Sequence, residues 1–247
     1  MNNNEIIFGI RAVAEAVQAG KTIDKILVKQ DLQGEVIKEL FAVLKGLPIR
    51  IQRVPMERLN RITRKNHQGV IAFLSAVMYH RLEDLIPFVY EQGQDPFVVL
   101  LDGITDVRNF GAIARTCECA GVHTLVIPSQ ESVSVNSDAM KTSAGALNIL
   151  PVCKETSINR SIRLLKESGL TVIAASEKGT KNYTEATYTS PVAIVMGAED
   201  IGVSPENLRL CDEIVKIPLF GTIGSLNVSV ATSILVYEVV RQRMGNK

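Results

Sequence analysis

The sequence predicts an α/β protein in two parts, a small basic unit followed by a larger one built on a mostly parallel sheet. Three observations predict it. Short runs of Val, Ile and Leu alternate with stretches of helical apolar period along the whole chain. In the second part the runs at 97–101, 171–175 and 192–196 are apolar at nearly every position, as strands covered on both faces are. Charge is uneven as well: residues 1–76 carry 12 Lys and Arg against 7 Asp and Glu, whereas residues 94–247 carry 14 against 16.

In the first unit an amphipathic helix over 9–17 ends at Gly20, and 23–28 follows as a strand. A helix over 35–45 and strands over 49–54 and 69–76 complete it, giving a domain at 1–76. Residues 77–95 read as a linker with a short helix, closed by Gln92-Gly93-Gln94-Asp95-Pro96. A second domain at 96–247 begins with strand 97–101, helix 109–120 and strand 124–127. Helix 137–144, strand 150–152, helix 158–168 and strand 171–175 come next. Strand 192–196, a short helix from Pro205, strand 213–217 and helix 226–243 close the chain. On these elements alone the second domain is a doubly wound open sheet.

Composition removes several classes. The chain has 247 residues, 46% hydrophobic and 21% charged, which suits an ordinary globular protein with a real core. No apolar run reaches the ~18 residues of a membrane span, and Met1-Asn2-Asn3-Asn4-Glu5 does not open like a signal peptide, so a cytoplasmic location is expected. Four cysteines lack CxxC spacing and three histidines are scattered, so reduced thiols and no metal site are expected. A net charge of +1 argues against a uniformly basic nucleic-acid binder. The positive charge gathers instead at Arg50, Arg53, Arg58, Arg61, Arg64 and Lys65, which reads either as a solvated face or as a surface for RNA phosphates.

Chemistry concentrates in three segments. Residues 217–231 run from an apolar strand end through Gly221 and Gly224 to Ser225-Leu226-Asn227, which opens a long helix with two cap-forming side chains. Residues 102–116 and 194–202 contribute Asn109, Arg115, Gly197, Glu199 and Gly202. No GxGxxG follows a strand, so a cofactor needs another pocket rich in main chain. Glycines at two strand ends offer one, with Ile217, Leu219 and Leu226 as apolar walls, although the same glycines also serve plain turns. Arg115 reads as a surface helix residue or, between apolar neighbours, as a clamp on an anion.

Taken together and in order, the three segments resemble the motifs of the SpoU/TrmH branch of the SPOUT methyltransferases, RNA ribose 2′-O-methyltransferases that use S-adenosylmethionine. The resemblance covers nearly the whole chain. It implies a deep trefoil knot that threads residues 195–230, an N-terminal RNA-binding domain like ribosomal protein L30e, and a homodimer with its site across the two-fold interface. It matches Asn109, Arg115, Glu199, Ser225 and Asn227 to the catalytic set, and Gly197, Ile217 and Leu226 to positions that hold the cofactor through backbone. Gly202 and Leu219 stand beside them in the same pocket. Val107 replaces a common proline, and Asp200 and Ile201 also depart from the usual pattern, without removing a reactive group. Lys141-Thr142-Ser143-Ala144-Gly145-Ala146 matches a further segment whose small residues suit close helix packing or a dimer contact.

The two-domain form and Asn66-His67-Gln68-Gly69-Val70 resemble the subgroup that methylates a guanosine in large-subunit ribosomal RNA. Two alternatives stand beside it: the same chemistry on transfer RNA, and a non-catalytic RNA-binding ribosome-assembly factor. Retention of the whole catalytic set speaks against the second.

Overall fold

The computed structural model describes residues 6–245, in two compact units. The reading of Met1 to Glu5 as no signal peptide lies outside the described residues. The first unit comprises residues 6–78 with Ser134–Asn136. Its elements are β1 (Ile6–Phe8), α1 (Ile10–Gln18), β2 (Ile23–Lys29), α2 (Glu35–Leu44), β3 (Arg50–Val54), α3 (Met56–Ile62) and β4 (Val70–Leu74). The sheet runs β1-β4-β2-β3, with β4 antiparallel to both neighbours and β2 parallel to β3.

Alternation along β2 sorts the two faces. Ile23, Ile26 and Val28 bury against Val13 of α1 and Ile37 and Leu40 of α2. On the other face Leu27, Ile71 and Val54 gather around Leu59 of α3. That short helix is absent from the sequence reading because it buries one residue, Leu59, while Arg58 and Arg61 face solvent. The stretch from Asn66 to Val70 does more than turn the chain. His67 is buried between the Gly69 amide, which donates to Nδ1 at 3.0 Å, and Asn60, 3.0 Å from Nε2. Gln68, at φ 51°, brings its Oε1 to 3.1 Å from the Ile10 amide and so satisfies an open donor at the start of α1.

The second unit contains β5 (Tyr79–His80), α4 (Leu82–Glu91), β6 (Phe97–Asp102), α5 (Val107–Cys119), β7 (Thr124–Pro128), α6 (Ser137–Thr142) and β8 (Val152–Glu155). After them come α7 (Ile158–Glu167), β9 (Thr171–Ala175), β10 (Lys181–Asn182), β11 (Val192–Gly197), α8 (Pro205–Leu210), β12 (Glu213–Lys216) and α9 (Val228–Gly245). Eight strands in the order β10-β12-β9-β11-β6-β7-β8-β5 form one sheet in which every pair is parallel. Leu82 and Ile86 of α4, Ile158 and Ile162 of α7 and Leu208 of α8 pack with Val98, Val172 and Val195 in one core. Helices α5 and α9 pack on each other, and α9 on β11.

Residues 79–95, read from the sequence as a linker, therefore lie in the second unit. Strand β5 pairs with β8, and the i, i+4 spacing of Leu82 and Ile86 gives α4 a buried stripe. Two helix starts also shift. Helix α5 begins two residues early because Asp106 caps it, Oδ1 accepting from the Asn109 amide at 2.8 Å. Helix α9 begins two residues late, at Val228. The small residues near 141–146 serve close packing within the chain, since a Cβ on Gly111 of α5 would lie 2.6 Å from the Thr142 Cβ.

The base of β6 is fixed by a neutral histidine. The Phe97 amide donates to His123 Nδ1 at 2.9 Å, so Nε2 carries the proton and donates to Gln94 Oε1 at 2.9 Å. Burial holds the His123 pKa below its usual value, and the Arg243 guanidinium adds to the lowering. The unfolded chain then binds this proton more readily, so His123 contributes full stability above about pH 6.5 and loses it as pH falls toward the folded-state value. Urea unfolding across this range is expected to show that decline, and His123→Gln to flatten it. An unchanged pH profile in the variant would contradict the assignment.

Candidate active site

The site forms where β6, β11 and β12 end, at the carboxyl edge of the parallel sheet, the usual place for ligands in such folds. Gly197 closes β11 directly beside Asp102, the last residue of β6. The following loop curls back on itself: Ala198 donates to the Asp102 carbonyl at 3.1 Å, and Gly202 donates to the Ala198 carbonyl at 2.8 Å. The Asp102 carboxylate fastens what comes next, accepting from the Ser204 amide and the Asn207 side chain, each at 2.8 Å. This close turn explains Gly197. A Cβ there would collide with the Gly202 carbonyl carbon and the Val203 nitrogen, so the position is glycine for the loop's own sake. Gly202, at φ 71°, supplies the left-handed residue of the same loop.

Beyond β12 the chain runs without regular structure until Asn227 caps α9. Its Oδ1 accepts from the Ser229 amide at 3.0 Å, the cap interaction expected of Asn. The Asn227 amide group points the other way, donating to Asn109 Oδ1 at 2.9 Å and to Glu199 Oε1. Asn109 Nδ2 donates to the same Glu199 oxygen at 3.1 Å, and the Val228 amide does so at 3.2 Å. One carboxylate oxygen thus ties the first turn of α5, the loop after β11 and the start of α9 together. Glu199 Oε2 makes no hydrogen bond among the described residues and stays open as an acceptor.

Beside this node lies a cleft of about 280 Å³. All five expected cofactor positions, Gly197, Gly202, Ile217, Leu219 and Leu226, line it, as do Glu199 and Ser225. Ser225 is a wall residue and caps nothing, which corrects its reading as a helix cap; the late start of α9 leaves that task to Asn227. Gly221 and Gly224 have open space where a Cβ would stand, so neither is glycine through crowding. The cleft also takes Ser176 and Glu177 from the end of β9, which the sequence reading did not name. Their signal was a polar pair after a recognised parallel strand. Glu177, Glu199 and Asp200 give the lining three carboxylates and no cationic side chain.

Arg115 stands apart from the node. It is exposed on α5, one and two-thirds turns beyond Asn109, and its side chain makes no hydrogen bond or ion pair among the described residues. The neighbouring Thr116 joins α5 to α9 through Ser233, Oγ to Oγ at 3.1 Å. No group of three or more His, Cys, Asp or Glu side chains able to hold a metal occurs among the described residues. Burial holds the Cys117 thiol well above its usual pKa and pushes Cys153 and Cys211 up to about 12.

Residues 96–237 match the SpoU rRNA methylase family, and residues 6–80 match the RNA 2′-O ribose methyltransferase substrate-binding domain. The chain belongs to the SpoU family. A SpoU relative from Photobacterium profundum, named 23S rRNA (guanosine-2′-O-)-methyltransferase, is 34% identical over 98% of this chain and 99% of its own. A TrmH-family tRNA/rRNA methyltransferase of Staphylococcus saprophyticus is 33% identical over 98% of both chains. The solved rRNA methyltransferase of Sinorhizobium meliloti, bound to S-adenosylmethionine, superposes with a TM-score of 0.61 and 25% identity, over 96% of this chain and 87% of that one. The three segments that meet at Glu199 all lie within the matched residues 96–237.

Proposed function

We propose that this chain transfers the methyl group of S-adenosylmethionine to the 2′-hydroxyl of a guanosine ribose in large-subunit (23S) ribosomal RNA. The observation that carries the reading is the Asn109–Glu199–Asn227 node at the edge of a cleft walled by main chain, in a member of the SpoU family. The lining fits the cofactor. Met196, Ile217 and Leu226 offer apolar surface to an adenine, and carboxylates without a cation favour a positively charged sulfonium and ammonium. When bound, S-adenosylmethionine supplies an activated methyl group for in-line displacement by an oxygen.

The chain's own residues then have to place that oxygen. Glu199, held by Asn109 and Asn227, presents its open Oε2 to a ribose hydroxyl. Arg115, without a partner among the described residues, grips the adjacent phosphodiester through its planar fork. A guanidinium offers donors and no acceptor, so Arg115 positions and stabilises while another group receives the hydroxyl proton. Ser225 holds the target nucleotide at the cleft wall. Most of the rate advantage in this scheme comes from alignment.

Residues 1–76 grip RNA outside the cleft and residues 96–247 carry the chemistry. The exposed Val230, Tyr237 and Met244 recur along one side of α9 and support a homodimer. Threading of residues 195–230 in a trefoil knot is supported by β11 entering between β9 and β6, strands laid down earlier in the chain. No helix among the described residues is long and apolar enough to cross a membrane, and a ribosomal substrate supports a cytoplasmic location. Transfer RNA remains the second substrate class, favoured by the tRNA/rRNA naming of the staphylococcal relative. Isothermal titration with S-adenosylmethionine is expected to give one site per chain, lost in Leu226→Asp. Absence of binding to the wild type would remove the reading.

A further inference from the structure

One row of the first unit's sheet, half-buried, lies beside the residues that surround Leu59 of α3. Strand register places Ile6, Phe73, Lys25 and Arg50 side by side across β1, β4, β2 and β3, on the face where Leu27 and Ile71 meet α3. Helix α3 covers the next row, Phe8, Ile71 and Leu27, with Leu59 and Ile62. It also brings Arg58 near enough to act on Lys25.

Lys25 and Arg50 lie side by side by register and Arg58 acts on Lys25, with the buried carboxylate of Asp24 the one anion that also acts there. None of the three cations has a side-chain hydrogen bond or ion pair among the described residues, whereas Lys38, Arg160, Lys166, Lys181 and Arg241 each find a carboxylate. The Lys25 ammonium rests 4.8 Å from the centre of the Phe73 ring, which orients it without neutralising it. Burial lowers the Lys25 pKa; the attraction of Asp24 opposes this, and the repulsion of Arg50 and Arg58 adds to it. One carboxylate beside three cations leaves the cluster with an excess of positive charge, which favours an external anion.

We propose that Lys25, Arg50 and Arg58 form a binding site for an RNA phosphodiester on this sheet face. The choice of RNA as the source of the anion rests on the function proposed above. Arg50 and Arg58 present fork-shaped donors and Lys25 a point charge, so one phosphate group can meet all three. Arg58 belongs to the basic run visible in the sequence, but the centre of the site is Lys25, a strand residue that the run does not include. The site contacts backbone and carries no base preference of its own.

Filter binding of unmodified large-subunit ribosomal RNA across a salt series tests the site. The double variant Lys25→Gln, Arg50→Gln is expected to weaken binding at least roughly tenfold and to reduce the slope of log Kd against log salt by roughly 1.4 to 1.8. Lys25→Arg is expected to keep wild-type affinity, and Lys38→Gln, which removes a charge already paired with Glu35, to leave the slope unchanged. Thermal unfolding of the double variant checks that it remains folded at the assay temperature. Wild-type affinity and slope in a folded double variant would overturn the site while leaving the proposed methyl transfer intact. A wild-type protein that binds S-adenosylmethionine but no RNA would overturn the functional reading, and the site with it.

Discussion

Arg115→Ala is expected to lower kcat for RNA methylation by about 10³-fold, in the range for loss of one charged group that acts in the transition state. Affinity for S-adenosylmethionine should stay at the wild-type value, because Arg115 does not line the cleft. The split follows from geometry. The Arg115 guanidinium has no partner to release among the described residues, so the substitution leaves no buried group unsatisfied and the fold should be unaffected. Arg115→Lys keeps the charge but not the paired donors and should fall between the two. Single-turnover methyl transfer read beside calorimetry of cofactor binding checks both halves. A variant with wild-type turnover would remove Arg115 from the reaction.

The second large effect is expected at Gly197, where the smallest possible addition meets main chain. An alanine Cβ would collide with the Gly202 carbonyl carbon and the Val203 nitrogen, and neither can move without shifting the loop anchored by Asp102. Overpacking against backbone should cost about 3 kcal/mol. Because that loop carries Glu199, cofactor binding should be lost together with stability. Gly224→Ala is the matched comparison, since its Cβ would enter open space. Urea unfolding and calorimetry on the pair measure the contrast. A Gly197→Ala protein with wild-type midpoint and cofactor affinity would show that the loop can relax.

These two positions also mark what a sequence can and cannot carry. The apolar strands at 97–101, 171–175 and 192–196 were legible because a sheet covered on both faces leaves few positions for a polar residue. The cleft positions were legible because glycines and apolar residues cluster where strands end. The reason for Gly197 was not, since it depends on Gly202 folding back onto it. Asp102 was also hidden: its carboxylate binds Ser204 and Asn207, more than 100 residues on, and nothing local marks it. Glu199 as the meeting point of three motifs is likewise a tertiary fact. Short elements escaped for a different reason. Two-residue strands such as β5 and β10 have no period to detect, and α3 buries a single side chain. Lys25, on a strand that is otherwise mostly apolar, becomes notable only when register sets it beside Arg50.

The central claim is the transfer of methyl to a ribose hydroxyl of large-subunit ribosomal RNA. The most direct test incubates the full chain with labelled S-adenosylmethionine and unmodified ribosomal RNA, with bulk transfer RNA in parallel, followed by nuclease digestion and mass spectrometry. The account predicts 2′-O-methylguanosine in the large-subunit RNA and none in transfer RNA. Label confined to transfer RNA, or methyl on a base instead of a ribose, would contradict it.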